Sequence, residues 1–313
     1  MYDIITTGSA LRDIFINTDL KEIKKGKRTL IAYPVGSKIA IDTIEFSIGG
    51  GGTNTGVGFS RLGLKTAYLG KIGNDESARK ILELLKKEKV NFIGVIDKTT
   101  SGHSIILDSH EHDRTILTYK GPSDKLKFKE INKKKLNTKW FYFASAMNQT
   151  LQTQKKLAEF AKKKNIKIAF NPSEYEAKLG LKKLKKILEN TNVLILNRQE
   201  AEILTKKKSY KNIFKRLSVF GIETICITDE KRTIYTYHNH NVLTIKPSKI
   251  KVVESTGAGD AFASGFLTGL IKKQDIEFAL KLGLADSESV IRHHGSKNKL
   301  LKYNEALKKI RKK

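Results

Sequence analysis

The stretch VVESTGAGDAFASGFLTGL, residues 252–270, joins a glycine-rich turn to the start of an apolar helix rich in small residues. Because Gly257, Ala258 and Gly259 carry little or no side chain, their backbone N–H groups are open to an anion. A helix N-terminus adds unpaired N–H groups and a partial positive charge, which together hold anions. Asp260 follows directly. It is either a first-turn residue that suits the helix dipole or a carboxylate that works beside the anion.

A second glycine cluster, FSIGGGGTNTGVGFSRLG at residues 46–63, also leads from an apolar run into a helical pattern. Four consecutive glycines at 49–52 make a poor helix or strand interior, so they indicate a place where a ligand contacts the backbone. A flexible loop is the alternative. Asn54 follows with a side chain that can both donate and accept hydrogen bonds.

Two further stretches place polar side chains after apolar runs. In NVLILNRQEAEIL, Asn197 and Glu200 are three residues apart and share a helix face. Their oxygens suit Mg²⁺, directly or through water, although an ordinary N-cap box has the same pattern. Asp13 stands just past the first apolar run, where doubly wound sheets bind ligands, and could accept hydrogen bonds from the hydroxyls of a polyol. A surface aspartate in a turn is the alternative.

Short apolar runs alternate with amphipathic helical patterns through most of the chain. This alternation predicts an α/β protein with a mostly parallel, doubly wound sheet and helices on both faces. Two β-rich segments interrupt it. Residues 28–48 read as extended chain with a turn at 34–36, and residues 103–119 read as a hairpin. No linker-like segment divides the chain, so we expect a single domain, 1–313, with a small β appendage.

The chain is strongly basic, with 60 Lys and Arg against 32 Asp and Glu and a net charge of +28. A nucleic-acid partner is one interpretation. However, the lysines occur in short groups on separate helical patterns, without interleaved aromatic residues, which favours solvated faces. Cys226 is the single cysteine and is expected to be a small buried residue. With no signal-peptide pattern and no long apolar run, the sequence predicts a cytoplasmic protein without a membrane partner.

Together, the motifs resemble those of the ribokinase-like carbohydrate and nucleoside kinases, the PfkB family. GGGGTN at 49–54 is similar to the family's GGxGxN substrate loop. NRQE at 197–200 is similar to its NxxE magnesium motif, and STGAGDAFASGF at 255–266 to its anion-hole and base motif. The motifs follow the family's order and cover nearly the whole chain.

The resemblance implies an ATP-dependent kinase that transfers the γ-phosphate to a hydroxyl of a small sugar or nucleoside. It implies a three-layer ribokinase-like fold with a small β-sheet lid, formed by about 12–48 and 100–121, which often also serves as a homodimer interface. The implied catalytic residues are Asp260, as general base, and Gly257, Ala258 and Gly259, as anion hole. The implied substrate contacts are Asp13, Gly50, Gly51 and Asn54, with His103 and Arg114 as further lid candidates. The implied nucleotide contacts are Asn197, Thr228, Gly257 and Gly259, and the implied ligands of Mg²⁺, through water, are Asn197 and Glu200.

The sequence departs from the family pattern in several places. Leu11 replaces the Asn of ribokinases, which argues against plain ribose specificity. Glu254 stands where some members use Asp or Asn to help hold K⁺, so a potassium requirement stays open. No glycine follows Thr228 closely, so the nucleotide loop is expected to differ.

The acceptor is not fixed by one sequence. A phosphorylated sugar would need cationic groups, which Lys27, Arg28 and Arg114 could provide. The alternatives to a kinase are a non-catalytic sugar- or nucleotide-binding member of the same fold and, less favoured, a basic nucleic-acid-binding protein.

Overall fold

The computed structural model describes residues 1–17, 22–26, 28–108, 114–230, 232–293, 295 and 297–311. The strands are β1 (Tyr2–Thr7), β2 (Leu11–Asn17), β3 (Glu22–Lys25), β4 (Arg28–Ile31), β5 (Thr43–Gly49), β6 (Thr66–Leu69), β7 (Lys71–Ile72), β8 (Asn91–Phe92), β9 (Val95–Ile96), β10 (Gly102–Asp108), β11 (Arg114–Tyr119), β12 (Thr138–Phe143), β13 (Lys167–Phe170), β14 (Val193–Asn197), β15 (Thr224–Thr228), β16 (Ile234–His238) and β17 (Asn241–Ile245). The helices are α1 (Gly51–Arg61), α2 (Glu76–Lys87), α3 (Asn148–Lys163), α4 (Glu174–Leu188), α5 (Arg198–Thr205), α6 (Tyr210–Ser218), α7 (Ala258–Lys273), α8 (Ile276–Val290) and α9 (Tyr303–Arg311).

The main sheet has the strand order β17-β16-β15-β14-β13-β12-β1-β6-β8. Every neighbouring pair from β15 to β8 is parallel, whereas β16 and β17 continue the sheet as antiparallel strands. The order changes direction at β1, with later strands added on both sides of it. The predicted doubly wound, mostly parallel sheet is therefore confirmed.

Alternating side chains of the central strands divide the core into two layers. Phe141 and Phe143 of β12 join one cluster, which includes residues of α3, α4, α5 and α6. Tyr142, between them, points the other way and packs with Phe59 of α1 and Phe262 of α7. Successive side chains of a strand face opposite sides of its sheet, so helices cover both faces. The three-layer prediction is confirmed.

A separate four-stranded sheet, the lid sheet, has the order β11-β10-β2-β5. Its strands fall within Leu11–Gly49 and Gly102–Tyr119, against the expected 12–48 and 100–121. The predicted hairpin is present as antiparallel β10 and β11. The turn expected at 34–36 is also present, because Ser37 N donates to Pro34 O at 3.4 Å and Gly36 has a φ of 78°.

The carboxyl ends of β12, β13, β14 and β15 meet at one edge of the main sheet, beside the lid sheet. Ligands of such sheets bind at this edge. Cys226 of β15 is fully buried, as expected, and burial raises its pKa to about 12. Within the part of the chain that the structure describes, no helix is long and apolar enough to cross a membrane.

Candidate active site

Helix α7 begins at the glycine-rich turn that the sequence singled out. Gly257 is its N-cap residue, with a φ of 81° that favours glycine, and it offers no side chain to cap the first turn. A side chain at Gly259 would meet no described atom within 4 Å, and Gly259 lines the cleft described below. The Ala258 amide already donates to Ser255 O at 3.2 Å. Of the three amides expected to hold an anion, one therefore has a partner in this structure.

The Asp260 carboxylate lies on the first turn of α7 and has two different surroundings. Its Oδ2 accepts a 2.8 Å hydrogen bond from Asn54 Nδ2, which joins residues 206 positions apart in the sequence. Its Oδ1 faces Gly51, 3.6 Å from where a Cβ would stand on that residue. Burial raises the pKa of Asp260, while the Asn54 hydrogen bond and the ammonium groups of Lys297 and Lys120 lower it. The structure thus brings Asn54, Gly51 and Asp260 together.

The four glycines lie at the junction of β5 and α1, and their tight contacts are with the protein itself. A Cβ on Gly49 would stand 1.8 Å from Asp13 Oδ2. Gly50 has a φ of 94°, and a Cβ there would stand 2.4 Å from Ser9 O. A ligand contact at this run stays a prediction. In the structure, the missing side chains also let Gly49 pack against Asp13 of the neighbouring strand and let Gly50 pack against the connection between β1 and β2.

Asp13 lies past the end of β1, as the sequence predicted, and not in the surface turn that was the alternative. It is the third residue of β2, in register with Ser47 of β5 and Ser104 of β10. The chain needs only residues 8–10 to pass from the main sheet to the lid sheet, so Asp13 still reaches the site. It is 7 % exposed, and burial raises its pKa to about 6, against the lowering effects of Lys297, Ser104 and Lys120.

The two lid candidates are not brought to Asp13. His103 precedes Ser104 on β10, so its side chain faces the opposite side of the lid sheet. There its Nε2 lies 3.1 Å from Ser77 Oγ of α2, and its Nδ1 lies 2.9 Å from Ser101 O. Arg114 is paired with Asp108 at the far end of the hairpin, and its side chain lies outside the described part of the chain, as do Lys27 and the side chain of Arg28.

Two lysines lie near Asp13 and Asp260. Lys297, from the segment after α8, donates through Nζ to Asn54 Oδ1 and to Ile48 O. Lys120, which follows β11, donates to Ser9 Oγ at 3.2 Å. Burial lowers the pKa of both, that of Lys297 to about 8. The sequence analysis missed Lys297, because one lysine has no contrast in a chain with 60 Lys and Arg. The available signal was Gly295, two residues earlier, whose φ of 89° marks a turn.

Beside Asp260 the site widens into a cleft of about 310 Å³, lined by residues from the ends of β12 to β15 and the start of α7. Asn197 and Thr228 line it from neighbouring strands, in register with each other. Asn197 Oδ1 accepts from Glu200 N, and Glu200 Oε2 accepts from Asn197 N, both at 2.8 Å. The N-cap box that the sequence left as an alternative is therefore present.

The cap box leaves room for a magnesium role. Burial, together with the carboxylates of Glu176, Glu174 and Asp260, raises the pKa of Glu200 to about 7, against the lowering effect of the hydrogen bond from Asn197 N. Such crowding of carboxylates favours a bound cation. Among the described residues, no group of three or more His, Cys, Asp or Glu side chains is arranged to hold a metal. This donor set fits Mg²⁺ held mainly by water and phosphate, as is usual for this ion.

Comparison with known proteins decides the family. Residues 16–302 match the model of the pfkB family carbohydrate kinases. The chain belongs to the PfkB family. It is 33 % identical over 250 residues to a protein of Archaeoglobus fulgidus named as an uncharacterized sugar kinase. The alignment covers 78 % of this chain and 98 % of that protein. The predicted enzyme class is confirmed: this is a kinase with an alcohol group as acceptor.

Solved structures agree on the fold. The ribokinase of Arabidopsis thaliana, complexed with ribose and ATP, superimposes with a TM-score of 0.81 at 18 % identity, over 99 % of this chain and 98 % of that one. The adenosine kinase of Sinorhizobium meliloti gives a TM-score of 0.80 at 20 % identity, over 98 % of each chain. The predicted ribokinase-like fold is confirmed.

Two departures from the PfkB pattern have a local structural account. After Thr228, where a glycine was expected, Glu230 adopts a φ of 47°, a left-handed conformation that glycine would enter more easily. Glu254, where some members use Asp or Asn, accepts a 2.8 Å hydrogen bond from Gly295 N through its Oε2. One of its oxygens is thereby tied to the backbone of the segment that carries Lys297.

Proposed function

We propose that this PfkB kinase transfers the γ-phosphoryl group of ATP to a hydroxyl group of a small sugar or nucleoside, with Asp260 as the general base. One observation supports the proposal most. The Asp260 carboxylate, oriented by Asn54, stands on the first turn of α7, beside Gly259 and the cleft that both residues line. A proton acceptor and anion-binding N–H groups thus lie at the same point.

The protein's task in phosphoryl transfer is mainly positioning and charge stabilisation. In the proposed reaction, Asp260 Oδ1 takes the proton of the attacking hydroxyl as the oxygen approaches the γ-phosphorus. The first-turn amides of α7 donate to the transferred group, where negative charge accumulates. Asn54 keeps its bond to Oδ2, so the carboxylate cannot turn away. Gly51 leaves space for the acceptor beside Oδ1, since any side chain there would approach the carboxylate.

The cleft between Asn197, Thr228 and Gly259 is the proposed ATP site. A bound Mg²⁺ would offset the negative charge of the phosphates there. Glu200 and Asn197 would hold the waters of that ion with the oxygen lone pairs that the N-cap box leaves free. The ATP complex of the Arabidopsis ribokinase, which shares this fold, supports the assignment. A K⁺ requirement is not part of the proposal.

Charges on the acceptor side favour a neutral polyol over a phosphorylated acceptor. Asp13 and Asp260 face Lys120 and Lys297, so the described side chains provide two carboxylates and two ammonium groups. No excess positive charge is left for a second phosphate within this set. Ser47 Oγ, on the same face as Asp13, is a buried hydroxyl without a partner among the described residues. An acceptor hydroxyl would satisfy it.

The test is a panel of sugars, sugar phosphates and nucleosides, assayed for acceptor-dependent release of ADP with Mg²⁺ present. We expect turnover with at least one neutral sugar or nucleoside and loss of turnover when EDTA removes the metal. Phosphorylated product, identified by mass spectrometry, separates transfer from ATP hydrolysis. ADP release that no acceptor of the panel stimulates would contradict the proposal, and activity confined to sugar phosphates would contradict the preference for a neutral acceptor.

We also propose that the chain forms a homodimer through the lid sheet. Apolar side chains on its strands are half exposed: Ile44 48 %, Phe46 53 %, Leu117 53 % and Tyr119 52 %. The four side chains lie on one face of the sheet, two on each edge strand, and exposed apolar surface of this kind marks an interaction site. A second copy of the same sheet is self-complementary to it, as two-fold interfaces require.

A further inference from the structure

We propose that Lys297 is a positioning residue that sets the orientation of the Asn54 amide and, through it, of the Asp260 carboxylate. This inference rests on the proposed function, since it assigns the orientation of the proposed base. It concerns a residue outside the three sequence motifs, on a segment more than 30 positions after Asp260.

The orientation follows from what each group can donate and accept. An ammonium group has three donors and no acceptor, so the atom of Asn54 that faces Lys297 must be the carbonyl oxygen Oδ1. The amide nitrogen must then face the other way, and it donates to Asp260 Oδ2 at 2.8 Å. If the amide turned over, its oxygen would face the Asp260 carboxylate, and two acceptors would meet. Lys297 therefore selects the productive one of two similar amide orientations.

The second bond of Lys297 fixes its position relative to the lid sheet. Nζ donates to Ile48 O, in β5 directly before the glycine run 49–52. One ammonium group thus links the lid sheet, helix α1 through Asn54, and helix α7 through Asn54 and Asp260. Because these three elements surround the acceptor site, Lys297 is placed to hold its geometry as a unit.

The segment that carries Lys297 is itself anchored by its backbone. Arg61, on α1 like Asn54, donates to Lys297 O at 3.3 Å and to Leu300 O at 3.2 Å. An ion pair with Glu88 at 2.7 Å holds the guanidinium. Glu254 accepts from Gly295 N at 2.8 Å on the other side. A long side chain on an anchored backbone loses less freedom when it binds, so the contact with Asn54 is well determined.

Charge gives Lys297 a second effect on the same base. The charged groups that act on it are Asp13 of β2, Asp260 of α7, Arg61 of α1 and Glu88 after α2. Its ammonium group favours the ionised form of Asp260, which is the form that accepts a proton. Burial lowers the pKa of Lys297 to about 8, so the charge is present at neutral pH and is lost as the pH rises through that value.

Three variants separate orientation from charge. Lys297→Met removes both, Lys297→Gln keeps an N–H donor for Asn54 without the charge, and Lys302→Met is the control at a nearby exposed lysine. We expect Lys297→Met to lower kcat by roughly 10–100-fold, the range typical of losing a residue that orients a metal ligand, because Lys297 orients the base in the same way. The acid limb of the pH profile of kcat should move to higher pH in this variant, because the pKa of Asp260 rises when the ammonium group is removed. We expect Lys297→Gln to recover most of kcat but to keep the moved acid limb, and the control to match the wild type.

A second readout does not depend on turnover. In protein labelled with ¹⁵N-asparagine, the Asn54 side-chain NH₂ signals, assigned with Asn54→Ala, should shift in Lys297→Met and stay near their wild-type position in Lys297→Gln. Unchanged signals in Lys297→Met would overturn the inference whether or not any acceptor is phosphorylated. So would an active enzyme whose kcat and acid limb are unchanged in that variant. If Lys297→Met does not fold, Lys297→Gln decides: Asn54 NH₂ signals that leave their wild-type position in that variant overturn the orientation role.

Discussion

The two oxygens of Asp260 have separate functions in the proposed reaction. Oδ2 is occupied by Asn54, and Oδ1 is turned toward Gly51 and the acceptor. Burial raises the pKa of this carboxyl, and the Asn54 bond with two nearby lysines opposes that effect. The contacts that orient the base thus also favour its ionised form, which is the form that accepts a proton.

Replacing Asp260 by Asn should leave ATP binding nearly intact and lower kcat by roughly 10²–10⁴-fold, the usual contribution of a positioned base. An amide of the same shape fills the space but accepts a proton poorly. The measurement is kcat under saturating ATP and acceptor, with nucleotide affinity determined by titration calorimetry. Asp275→Asn is the matched control, because Asp275 caps α8 through Phe278 N and Asn caps as well as Asp. Turnover of Asp260→Asn within a few-fold of the wild type would exclude the base role.

Residues with a distinctive neighbourhood in the sequence could be predicted, and others could not. Asp260 and Asn54 stand beside glycines, which are rare in helices and therefore conspicuous. Lys297 stands in a lysine-rich segment, and nothing local distinguishes it from its neighbours. His103 was expected in the acceptor site, but one residue along a strand reverses the face, and a sequence without a known register does not fix that parity.

Among the elements, the central strands were the most predictable part of the fold. Both faces of a parallel sheet are covered, so its strands have continuous apolar runs. Such runs are visible in the sequence and predict buried strands. The lid strands are half exposed and less regular, so the sequence placed Asp13 just past the first strand but did not show that it lies within β2. The short passage at residues 8–10 from main sheet to lid sheet has no strong turn signature beyond Gly8.

The apolar side chains on the lid sheet give a prediction for this element. Phe46→Asp should convert the proposed dimer to monomer, because a carboxylate in the centre of an apolar interface is left without a partner when it is buried. Sedimentation equilibrium of wild type and variant measures the change. Val219→Asp, at an apolar residue 74 % exposed at the end of α6, is the control and should keep the wild-type mass. A monomeric wild type, or a dimer that Phe46→Asp leaves intact, would rule out the lid as the interface.

Across the whole molecule, the site forms where three distant parts of the chain meet. The lid sheet supplies Asp13, helix α1 supplies Asn54, and the last third of the chain supplies Asp260 and Lys297. No two of these four groups are close to each other in the sequence. The order of the motifs identified the family, whereas their contacts with one another required the fold, because long-range packing determines which loops share an edge.

The net charge of +28 also belongs to the whole molecule. The lysine runs lie on different elements: 133–135 on a short 3-10 helix, 162–164 at the end of α3, 182–186 on α4 and 206–208 after α5. The runs on α3 and α4 belong to packed neighbours, and there Lys186 pairs with Glu159 at 2.8 Å. Phe128, beneath Lys133, is packed against the core and is not free to stack with a base.

We therefore expect polyanions to bind only through the general attraction of a basic surface. Such binding releases counterions and depends steeply on salt, without preference for sequence or strand number. Duplex DNA, single-stranded DNA and structured RNA, each titrated by fluorescence anisotropy, should bind alike at low salt. All three should lose most of their affinity at about 150 mM salt, where the Debye length is about 8 Å. Submicromolar affinity for one of the three that persists at that salt and resists competition by heparin would show a dedicated nucleic-acid site, and the lysine runs of α3 and α4 would be its first candidates.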